Sequence, residues 1–307
     1  MLQLASDGEK QHLQAMSTEE GCALDEHMLE MRNVTKQYPV PFLGTARYSK
    51  KRGSLSEIGL TGSKRHAKKT VLDGVNLVLD AGDRLALVGA SAAGKSTLVK
   101  MLFGMERPSS GEILYAGIKM SRAPQDEALA RIRKEARLIL QDPRSSFDPK
   151  ATLFASVAEP LVALARRGSG KGDISREAVE QVFVKVGLHP SLQDYYPHQL
   201  SGGQLQRAAI ARAIISEPKL VVADEMLSAL DPFRRKEISD LFLHTFAEKS
   251  LIFIAHDLST IRYLCSKIAV LHNGKIVDYG PLAEVIDDPK DSYTKDLIRA
   301  DAVFGLQ

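Results

Sequence analysis

The sequence predicts an α/β fold: a phosphate-loop core with a mostly parallel sheet, a small antiparallel β layer and an inserted helical subdomain. Three observations predict this class. Strand-like and helix-like patterns alternate along most of the chain. The Gly-rich residues 89–97 lie between an apolar strand-like run and a helical pattern. Strand patterns are missing between Phe154 and Ile215, where only helical patterns occur.

The first elements predict the antiparallel layer. Residues 1–27 lack sustained periodicity and predict a flexible leader. Alternating patterns at residues 29–34 and 71–79 predict two strands of that layer, on either side of an insertion at 41–69. Lysine and arginine dominate the insertion against a single acid, Glu57. We expect it to form a solvated loop, and contact with an anionic surface is the alternative.

The remaining elements follow in order. Further strands are predicted at residues 85–88, 112–115, 137–140, 220–223, 251–255 and 268–272. Helices are predicted at residues 98–102, 154–166, 175–186, 203–215, 232–249, 258–265, 281–287 and 293–300. The helices between about 150 and 216 make up the inserted subdomain. The main domain is expected to span 28–300, with a tail at 301–307.

Composition limits the function classes. The chain is 44% hydrophobic with a formal net charge of +3, which is too small to indicate nucleic acid as a general partner. No apolar run reaches the roughly 18 residues of a membrane span, and the first thirty residues lack the apolar centre of a signal peptide. Cys22 and Cys265 are the only cysteines, which fits a reducing cytosol rather than a disulfide framework or metal cluster.

The segment 89–97 has the features of a phosphate-binding loop. Its two glycines, Gly89 and Gly94, allow the backbone to curl so that successive N–H groups point inward. Lys95 supplies a positive charge for the β- and γ-phosphates, and the Ser96 hydroxyl can bind Mg²⁺. The pattern predicts a site for a nucleoside triphosphate; a Gly/Ala turn between strand and helix is the alternative.

Two acids and a histidine follow later strands. The apolar run 220–223 ends in Asp224 and Glu225, and His256 follows the run 251–255. Because strands of such sheets deliver ligands at their carboxyl ends, Asp224 is expected to hold Mg²⁺ beside Ser96. Glu225 is then placed to orient or deprotonate a water molecule. A histidine in this position is, on its own, more often structural.

Residues 200–204, Leu-Ser-Gly-Gly-Gln, precede a strong helical pattern. Free N–H groups and the helix dipole at such a corner predict a second anion site. An ordinary Ser N-cap with Gly in the turn is the alternative. Because the phosphate loop of one chain holds one triphosphate, the second corner raises the question of whose phosphate it binds.

Taken in order, residues 89–97, Gln141, 200–204, 224–225, 228–231 and His256 resemble the ATP-binding subunit of an ATP-binding-cassette (ABC) transporter, over residues 28–300. The resemblance implies a phosphate-loop ATPase core and two cassettes that enclose two ATP molecules head to tail. It therefore implies that the 200–204 corner caps ATP held by another cassette. The nucleotide-binding residues implied are Tyr38, Gly89, Ser91, Ala92, Ala93, Gly94, Lys95, Ser96, Thr97, Ser201, Gly202, Gly203, Gln204 and Asp231.

The resemblance also assigns roles. Tyr38 is expected to stack on adenine, with an exposed strand-end tyrosine as the alternative. Asp231 is expected to communicate across the dimer. The catalytic residues implied are Glu225, His256, which contacts the γ-phosphate and aligns Glu225, and Gln141, which senses Mg²⁺ and water. The Mg²⁺ ligands implied are Ser96, Gln141 and Asp224.

Further features resemble the oligopeptide, dipeptide and nickel importer group: Gln141-Asp-Pro, Phe147-Asp-Pro, the long insertion after Tyr38-Pro39 and the tail at 288–297. In that group residues 142–149 would face the membrane subunit. The chain departs from the pattern at Ala92, where the family has Gly, at Met226-Leu227, and in lacking a cysteine cluster near its C-terminus. None of these removes a group that touches phosphate, so an active ATPase is expected.

The sequence therefore predicts an ATPase at the cytoplasmic face of an inner membrane that uses ATP and Mg²⁺ to power uptake of peptides or a related small solute. The implied partners are a second, paralogous cassette, two permease subunits that provide the membrane contact, and an extracytoplasmic solute-binding protein, without nucleic acid. An exporter cassette is the nearest alternative. A soluble cassette acting on ribosomes or DNA usually has two cassettes or a long insertion, and a non-hydrolysing regulatory cassette would not need Glu225 and His256.

Overall fold

The computed structural model describes residues 27–40, 68–121, 126–167, 174–228 and 230–304. The predicted leader lies outside these ranges except for His27, as does the insertion except for Lys68 and Lys69, which belong to a strand. Residues 301–304 of the predicted tail belong to a helix.

Strands and helices alternate as the sequence predicts. The strands are β1 (Leu29–Pro39), β2 (Lys68–Leu79), β3 (Arg84–Val88), β4 (Ser110–Tyr115), β5 (Ile118–Lys119), β6 (Ala136–Ile139), β7 (Leu220–Asp224), β8 (Ser250–Ile254), β9 (Lys267–His272) and β10 (Lys275–Pro281). The helices are α1 (Lys95–Leu102), α2 (Glu127–Glu135), α3 (Leu153–Arg167), α4 (Arg176–Lys185), α5 (Gly202–Ile214), α6 (Pro232–Thr245), α7 (Leu258–Leu264), α8 (Leu282–Asp287) and α9 (Ser292–Phe304).

The strands form two sheets. A four-stranded antiparallel sheet has the order β2-β1-β4-β5, and a six-stranded sheet has the order β10-β9-β3-β8-β7-β6. In the larger sheet β9, β3, β8, β7 and β6 run parallel, and β10 pairs antiparallel with β9 at the edge. Parallel strands need crossover connections, which α1, α6 and α7 help to supply. The predicted α/β class, with its mostly parallel sheet and small antiparallel layer, is confirmed.

The six-stranded sheet separates two apolar cores, as β7 illustrates. Val221 and Ala223 share a buried cluster with α3, α4 and α5, whereas Leu220 and Val222 share one with α1 and the antiparallel sheet. All four side chains are fully buried. Since alternate residues of a strand point to opposite faces, a strand that is buried on both faces is apolar throughout. Each fully buried Val or Leu contributes about 1.5–3 kcal/mol to stability.

The segment 150–216 holds helices and short 3₁₀ turns, with no strand among its described residues. Helix α5 packs against α3 and α4 and also reaches β6 and α6, so the inserted helices lie against one face of the sheet. Over the described part of the chain, no helix combines the length and apolarity needed to cross a membrane.

The structure adds elements that the sequence analysis did not predict, namely α2, β5 and β10. The hairpin between β9 and β10 turns at Asn273 and Gly274, both with positive φ (47° and 79°). Asn-Gly is a strong signal for a two-residue hairpin, so this strand could have been found. Helix α6 ends at Thr245, four residues before the predicted Lys249, because the chain turns there to place Phe246 in the core.

Candidate active site

The carboxyl ends of three neighbouring strands bring the predicted motifs to one edge of the larger sheet. The register of β8 with its neighbours aligns Ile254 with Leu87 of β3 and with Asp224 of β7. The phosphate loop follows β3, Glu225 follows β7, and His256 follows β8 by two residues. Residues that are far apart in sequence therefore meet at this edge.

The two glycines of the phosphate loop are required by packing within this chain. A Cβ atom on Gly89 would lie 2.2 Å from the backbone oxygen of Leu271 in β9. One on Gly94, where φ is +113°, would lie 2.6 Å from the side chain of Leu72 and 3.1 Å from the oxygen of Val71. Strands β9 and β2 thus leave no room for a side chain and hold the loop backbone in its curled form.

Ala92 also adopts a left-handed conformation, with φ at +65°. The family has glycine at this position, and an alanine there costs roughly 1–2 kcal/mol. The loop therefore keeps the shape expected of it in spite of the substitution, and it stores backbone strain at an exposed residue.

Lys95 begins α1 and is buried, with 6% of its surface exposed. Its Nζ donates to the loop carbonyls of Gly89 (2.7 Å) and Ala90 (3.1 Å). Burial lowers the pKa of Lys95, while the negative charges of Glu225 and Asp224 oppose that shift. A buried ammonium at the centre of a curled loop, with a third donor to spare, fits a phosphate group.

Oxygen donors suited to Mg²⁺ lie beside the loop. Ser96 is exposed in the first turn of α1, and Asp224 is half-buried at the end of β7. Burial and the neighbouring charge of Glu225 raise the pKa of Asp224, whereas Lys95 and His256 lower it. Hydroxyl, carboxylate and amide oxygens are the donors that this hard cation takes. Within the described ranges, no cluster of three or more His, Cys, Asp or Glu is arranged to hold a metal ion.

The three predicted catalytic residues meet at Glu225. His256 Nε2 lies 2.5 Å from Glu225 Oε1, and Gln141 Nε2 donates to Glu225 Oε2 over 3.0 Å. Gln141 reaches this position because it follows β6, which pairs with β7. Both carboxylate oxygens are therefore held, one from each side, while the side chains of Gln141 and His256 stay exposed at the edge.

The backbone of Glu225 is also fixed. Its φ is +46°, its N–H donates to the carbonyl of Ile254 (3.0 Å), and its carbonyl accepts from the Ser228 hydroxyl (2.9 Å). The Ser228 oxygen also accepts from Gln141 Nε2 over 3.4 Å. The sequence predicts no separate role for Ser228, although a serine commonly closes a turn by a bond to the carbonyl three residues before it.

Tyr38 lies in β1 near the start of α1 and is half-buried. Its hydroxyl donates to Glu106 (2.7 Å), and Lys36 Nζ lies 5.0 Å from the centre of its ring. Burial, with the hydrogen bond to Glu106, raises the pKa of Tyr38. The ring is thus anchored at its hydroxyl, and its proposed stacking on adenine stays a prediction.

The corner at residues 200–204 is built differently. Ser201 caps α5: its hydroxyl accepts from the N–H of Gln204 (3.3 Å), and Gln204 Oε1 accepts from the N–H of Ser201 (2.9 Å). Such a capping box satisfies only its own helix end. Among the described residues, Ser201 has no hydrogen bond outside this turn, and it is exposed.

The glycines of this corner have no structural requirement within the chain. A Cβ atom on Gly202 or Gly203 would have nothing within 4 Å, and neither residue has a positive φ. Alanine is a better helix former than glycine, so two glycines in the first turn of α5 are unfavourable for the isolated chain. The corner can nevertheless be approached closely by something from outside.

Asp231 is exposed and caps α6 by accepting from the N–H of Arg234 (3.1 Å). It also forms an ion pair with Arg234 across 3.4 Å. Ala229, within the same motif, lies outside the described residues. Met226 and Leu227, which replace the family's usual residues, are buried in the helical core, so the departure is accommodated by packing.

The segment at 142–149 is tied to α5. Phe147 is buried, and the guanidinium of Arg212 lies 4.4 Å from the centre of its ring. Arg212 Nη1 also donates to the carbonyl of Ser146 (2.6 Å). The flanking residues are exposed, so the segment presents a polar surface that is mechanically connected to the helix capped by Ser201.

Comparisons with known proteins agree with this geometry. The profile of a family described as ABC transporter matches residues 72–228. The di/tripeptide transport ATP-binding protein DppF of Pseudomonas aeruginosa is 36% identical over 242 residues, 77% of this chain and 73% of that protein. The oligopeptide transport ATP-binding protein AppF of Bacillus subtilis is 32% identical over 90% of this chain and 78% of its own length. The corresponding protein OppF of Escherichia coli is 38% identical over 75% and 68%.

Solved structures are similar as well. The dimeric ATP-binding cassette MJ0796, in a post-hydrolysis state bound to ADP and Pi, matches with a TM-score of 0.63 and 26% identity. The match covers 83% of this chain and 99% of that cassette.

Proposed function

Since the chain belongs to the ABC transporter family, we propose that it hydrolyses ATP to drive the uptake of oligopeptides, dipeptides or a related small solute across a membrane. Family membership supports ATP binding and hydrolysis. The relatives that are transport ATP-binding proteins for peptides support the direction and the class of solute. The observation that carries the proposal is the meeting of Glu225, His256 and Gln141 beside the phosphate loop.

The residues of this edge would have three separate roles: phosphate binding, Mg²⁺ binding and activation of water. Lys95 and the N–H groups of the curled loop would hold the phosphates, and Ser96, Asp224 and Gln141 would hold Mg²⁺. The bound cation would neutralise charge on the phosphate oxygens. Glu225 orients the attacking water and accepts its proton, because its carboxylate is fixed by two side chains and its backbone by β8.

A second cassette would complete the site. The corner at Ser201 is the N-terminus of α5 and carries two glycines that this chain does not require, which suits a phosphate carried by another protein. Each cassette would contribute its phosphate loop to one ATP and its Ser201 corner to the other. We propose a paralogous cassette as the partner, as is common in importers of this group.

The other partners follow from the exposed segment at 142–149. It would contact a permease of two subunits, which would hold the cassette at the cytoplasmic face of the membrane. Its bond to α5 through Arg212 would pass movement of the permease to the Ser201 corner. A solute-binding protein on the far side would deliver the solute.

Reconstitution tests the proposal. Proteoliposomes would contain this chain, the second cassette and the permease subunits encoded by neighbouring reading frames, with ATP on the cassette side. We expect ATP-dependent accumulation of a labelled dipeptide or oligopeptide, and none with a Lys95→Ala complex. Hydrolysis with outward transport only, or with no movement of any peptide, would contradict the importer assignment.

Crosslinking tests the second cassette. Cysteines at Ser201 of this chain and in the partner's phosphate loop should crosslink when Mg-ATP is added to the Glu225→Gln form. A fully active, permease-coupled enzyme that contains this chain as its only cassette would overturn the heterodimer while leaving the ATPase standing.

A further inference from the structure

Arg235 links two segments of the active site that are separate in sequence. It lies in the first turn of α6, and its side chain is about one-third exposed. Its Nη1 lies 3.2 Å from Asp257 Oδ2, and its Nη2 donates to the carbonyl of Leu230 over 3.3 Å. The guanidinium therefore bridges the segment at 228–231 and the turn that follows β8.

The Asp257 end of this bridge is adjacent to His256. Asp257 caps α7, accepting from the N–H and hydroxyl of Ser259 (3.1 and 2.7 Å) and from the hydroxyl of Thr260 (2.5 Å). Burial raises the pKa of Asp257, but these hydrogen bonds and the charge of Arg235 outweigh it, so the pKa is lowered. The carboxylate stays ionised and its position fixes the turn that carries His256.

The Leu230 end of the bridge returns to Glu225. Leu230 donates its N–H to the carbonyl of Leu227 (3.2 Å), and the N–H of Ser228 donates to the carbonyl of Glu225 (3.1 Å). Glu225 in turn contacts His256. The contacts thus close a ring that runs from Glu225 to the 228–231 segment, through Arg235 and Asp257, to His256 and back to Glu225.

Arg235 suits this position better than a lysine would. A guanidinium presents several donors in a fixed plane, so one side chain can hold two acceptors at a set separation. Its Nε is buried and has no hydrogen-bond partner among the described residues. Such an unpaired group is unfavourable, so folding alone does not explain the arrangement well.

We propose that Arg235 is a positioning residue that couples the partner-facing segment at 228–231 to the Glu225–His256 pair. The proposal rests on the proposed function, since the surface beside Asp231 is taken to meet the second cassette. Contact there shifts or stabilises the Leu230 carbonyl, and Arg235 passes the change to Asp257 and hence to His256. Nucleotide binding at the phosphate loop does not involve this route.

The test compares Arg235→Gln with Lys236→Gln in the assembled complex. Lys236 is the next residue of α6 and is exposed, so its variant removes the same charge without breaking the bridge. We expect Arg235→Gln to lower kcat for ATP about tenfold, with KM for ATP within about twofold of wild type. Lys236→Gln should match wild type in both. Arg235→Lys, which cannot hold both acceptors, should lie between Arg235→Gln and wild type.

A purely structural role predicts different results. If Arg235 only stabilised the fold, Arg235→Gln would lower the melting temperature and raise KM for ATP together. The fold-losses in kcat of Arg235→Gln and of a second variant would then multiply in the double variant. Asp257→Asn retains the helix cap but loses the charge. If both residues act through one link, the Arg235→Gln/Asp257→Asn double variant should lose no more than about twofold beyond the worse single variant. Multiplying losses would overturn the coupling.

The outcomes separate the two proposals. If the wild-type and Lys236→Gln complexes do not hydrolyse ATP, the proposed function has failed. If they do and Arg235→Gln has the same kcat, only the coupling role of Arg235 is wrong.

Discussion

The phosphate-loop edge and the Ser201 corner are both predicted to bind phosphate, but they are held together in different ways. Glu225 is held by residues from two other parts of the chain: Gln141, which follows β6, and Ile254 with His256 at the end of β8. Among the described residues, Ser201 is held only by its own helix, through Gln204 and the N–H of Leu205, three and four residues away. The first site depends on the tertiary fold, whereas the second is a helix cap with an open side.

This difference implies that ATP binding and ATP hydrolysis have different requirements. The chain alone contains a loop and a buried lysine that can hold nucleotide, and a carboxylate that can act on water. It does not close that site with its own Ser201 corner: among the described residues, no hydrogen bond or ion pair joins the two. One chain is therefore expected to bind ATP by itself and to hydrolyse it efficiently only when a partner supplies the corner.

The largest effect is expected at the phosphate-loop edge. Glu225→Gln should reduce single-turnover hydrolysis by roughly 10²-fold or more, the range for loss of a general base, with ATP affinity retained. Lys95→Ala should instead lose nucleotide affinity, measured by equilibrium binding of labelled ATP. Glu180→Gln, an exposed glutamate on α4, is the control. Wild-type turnover by Glu225→Gln would remove Glu225 from its assigned role.

A smaller effect is expected at the corner, and two variants separate its cap from its anion site. Ser201→Ala loses the cap and should cost about 1 kcal/mol of stability, measured by urea unfolding. Ser201→Asp keeps the cap but places a negative charge where a phosphate is predicted. It should fold as wild type, bind ATP as an isolated chain, and lose about tenfold or more in turnover of the complex. Unchanged turnover would show that the corner does not meet phosphate.

Relieving the backbone strain at Ala92 is expected to raise the stability of the protein rather than lower it. Ala92→Gly should relieve roughly 1–2 kcal/mol of left-handed strain, offset by about 0.4–1 kcal/mol of added freedom in the unfolded chain. A net gain between about zero and about 1.6 kcal/mol in the free energy of unfolding is expected. Ala93→Gly, at a neighbouring residue without positive φ, should destabilise the protein. Equal destabilisation by both would contradict a strained loop.

The smallest effect concerns a buried thiol at the opposite edge of the sheet, where β3 and β9 begin. Burial raises the pKa of the Cys265 thiol from 9.0 to about 12. In a Cys22→Ser protein, reaction of the native thiol with a disulfide reagent should be slow at pH 8 and keep rising with pH beyond 9, since the thiolate remains scarce up to about pH 12. A rate that levels off near pH 9 would indicate an accessible, ordinary thiol.

The sequence predicted the fold well where a pattern has one physical meaning. Strands buried on both faces are apolar throughout, and that is why β7 and β8 were found with nearly correct bounds. The short strand β5 and helix α2 were not predicted. Strand β5 has only two residues and depends on its pairing with β4, and α2 buries only Ala128 and Ile132 of its nine residues, so each offers a short apolar signal.

The residues of the candidate site also fall into those that the sequence predicts and those that it does not. Lys95, Glu225 and His256 lie at one edge because parallel strands end together, and their roles stay predictions. The bridge through Arg235 and Asp257 has no sequence signal. Its two acceptors, a carboxylate and a backbone carbonyl, are brought together only by the packing of α6 against α7.

The unequal surroundings of the glycines have a consequence for mutational tolerance. In a library selected only for folding, Gly89 and Gly94 should persist, because β9 and β2 exclude any side chain there. Gly202 and Gly203 should be replaced freely under that selection and become invariant only when transport is required. Comparing the two selections would therefore distinguish glycines retained for this chain's own architecture from glycines retained for a neighbour.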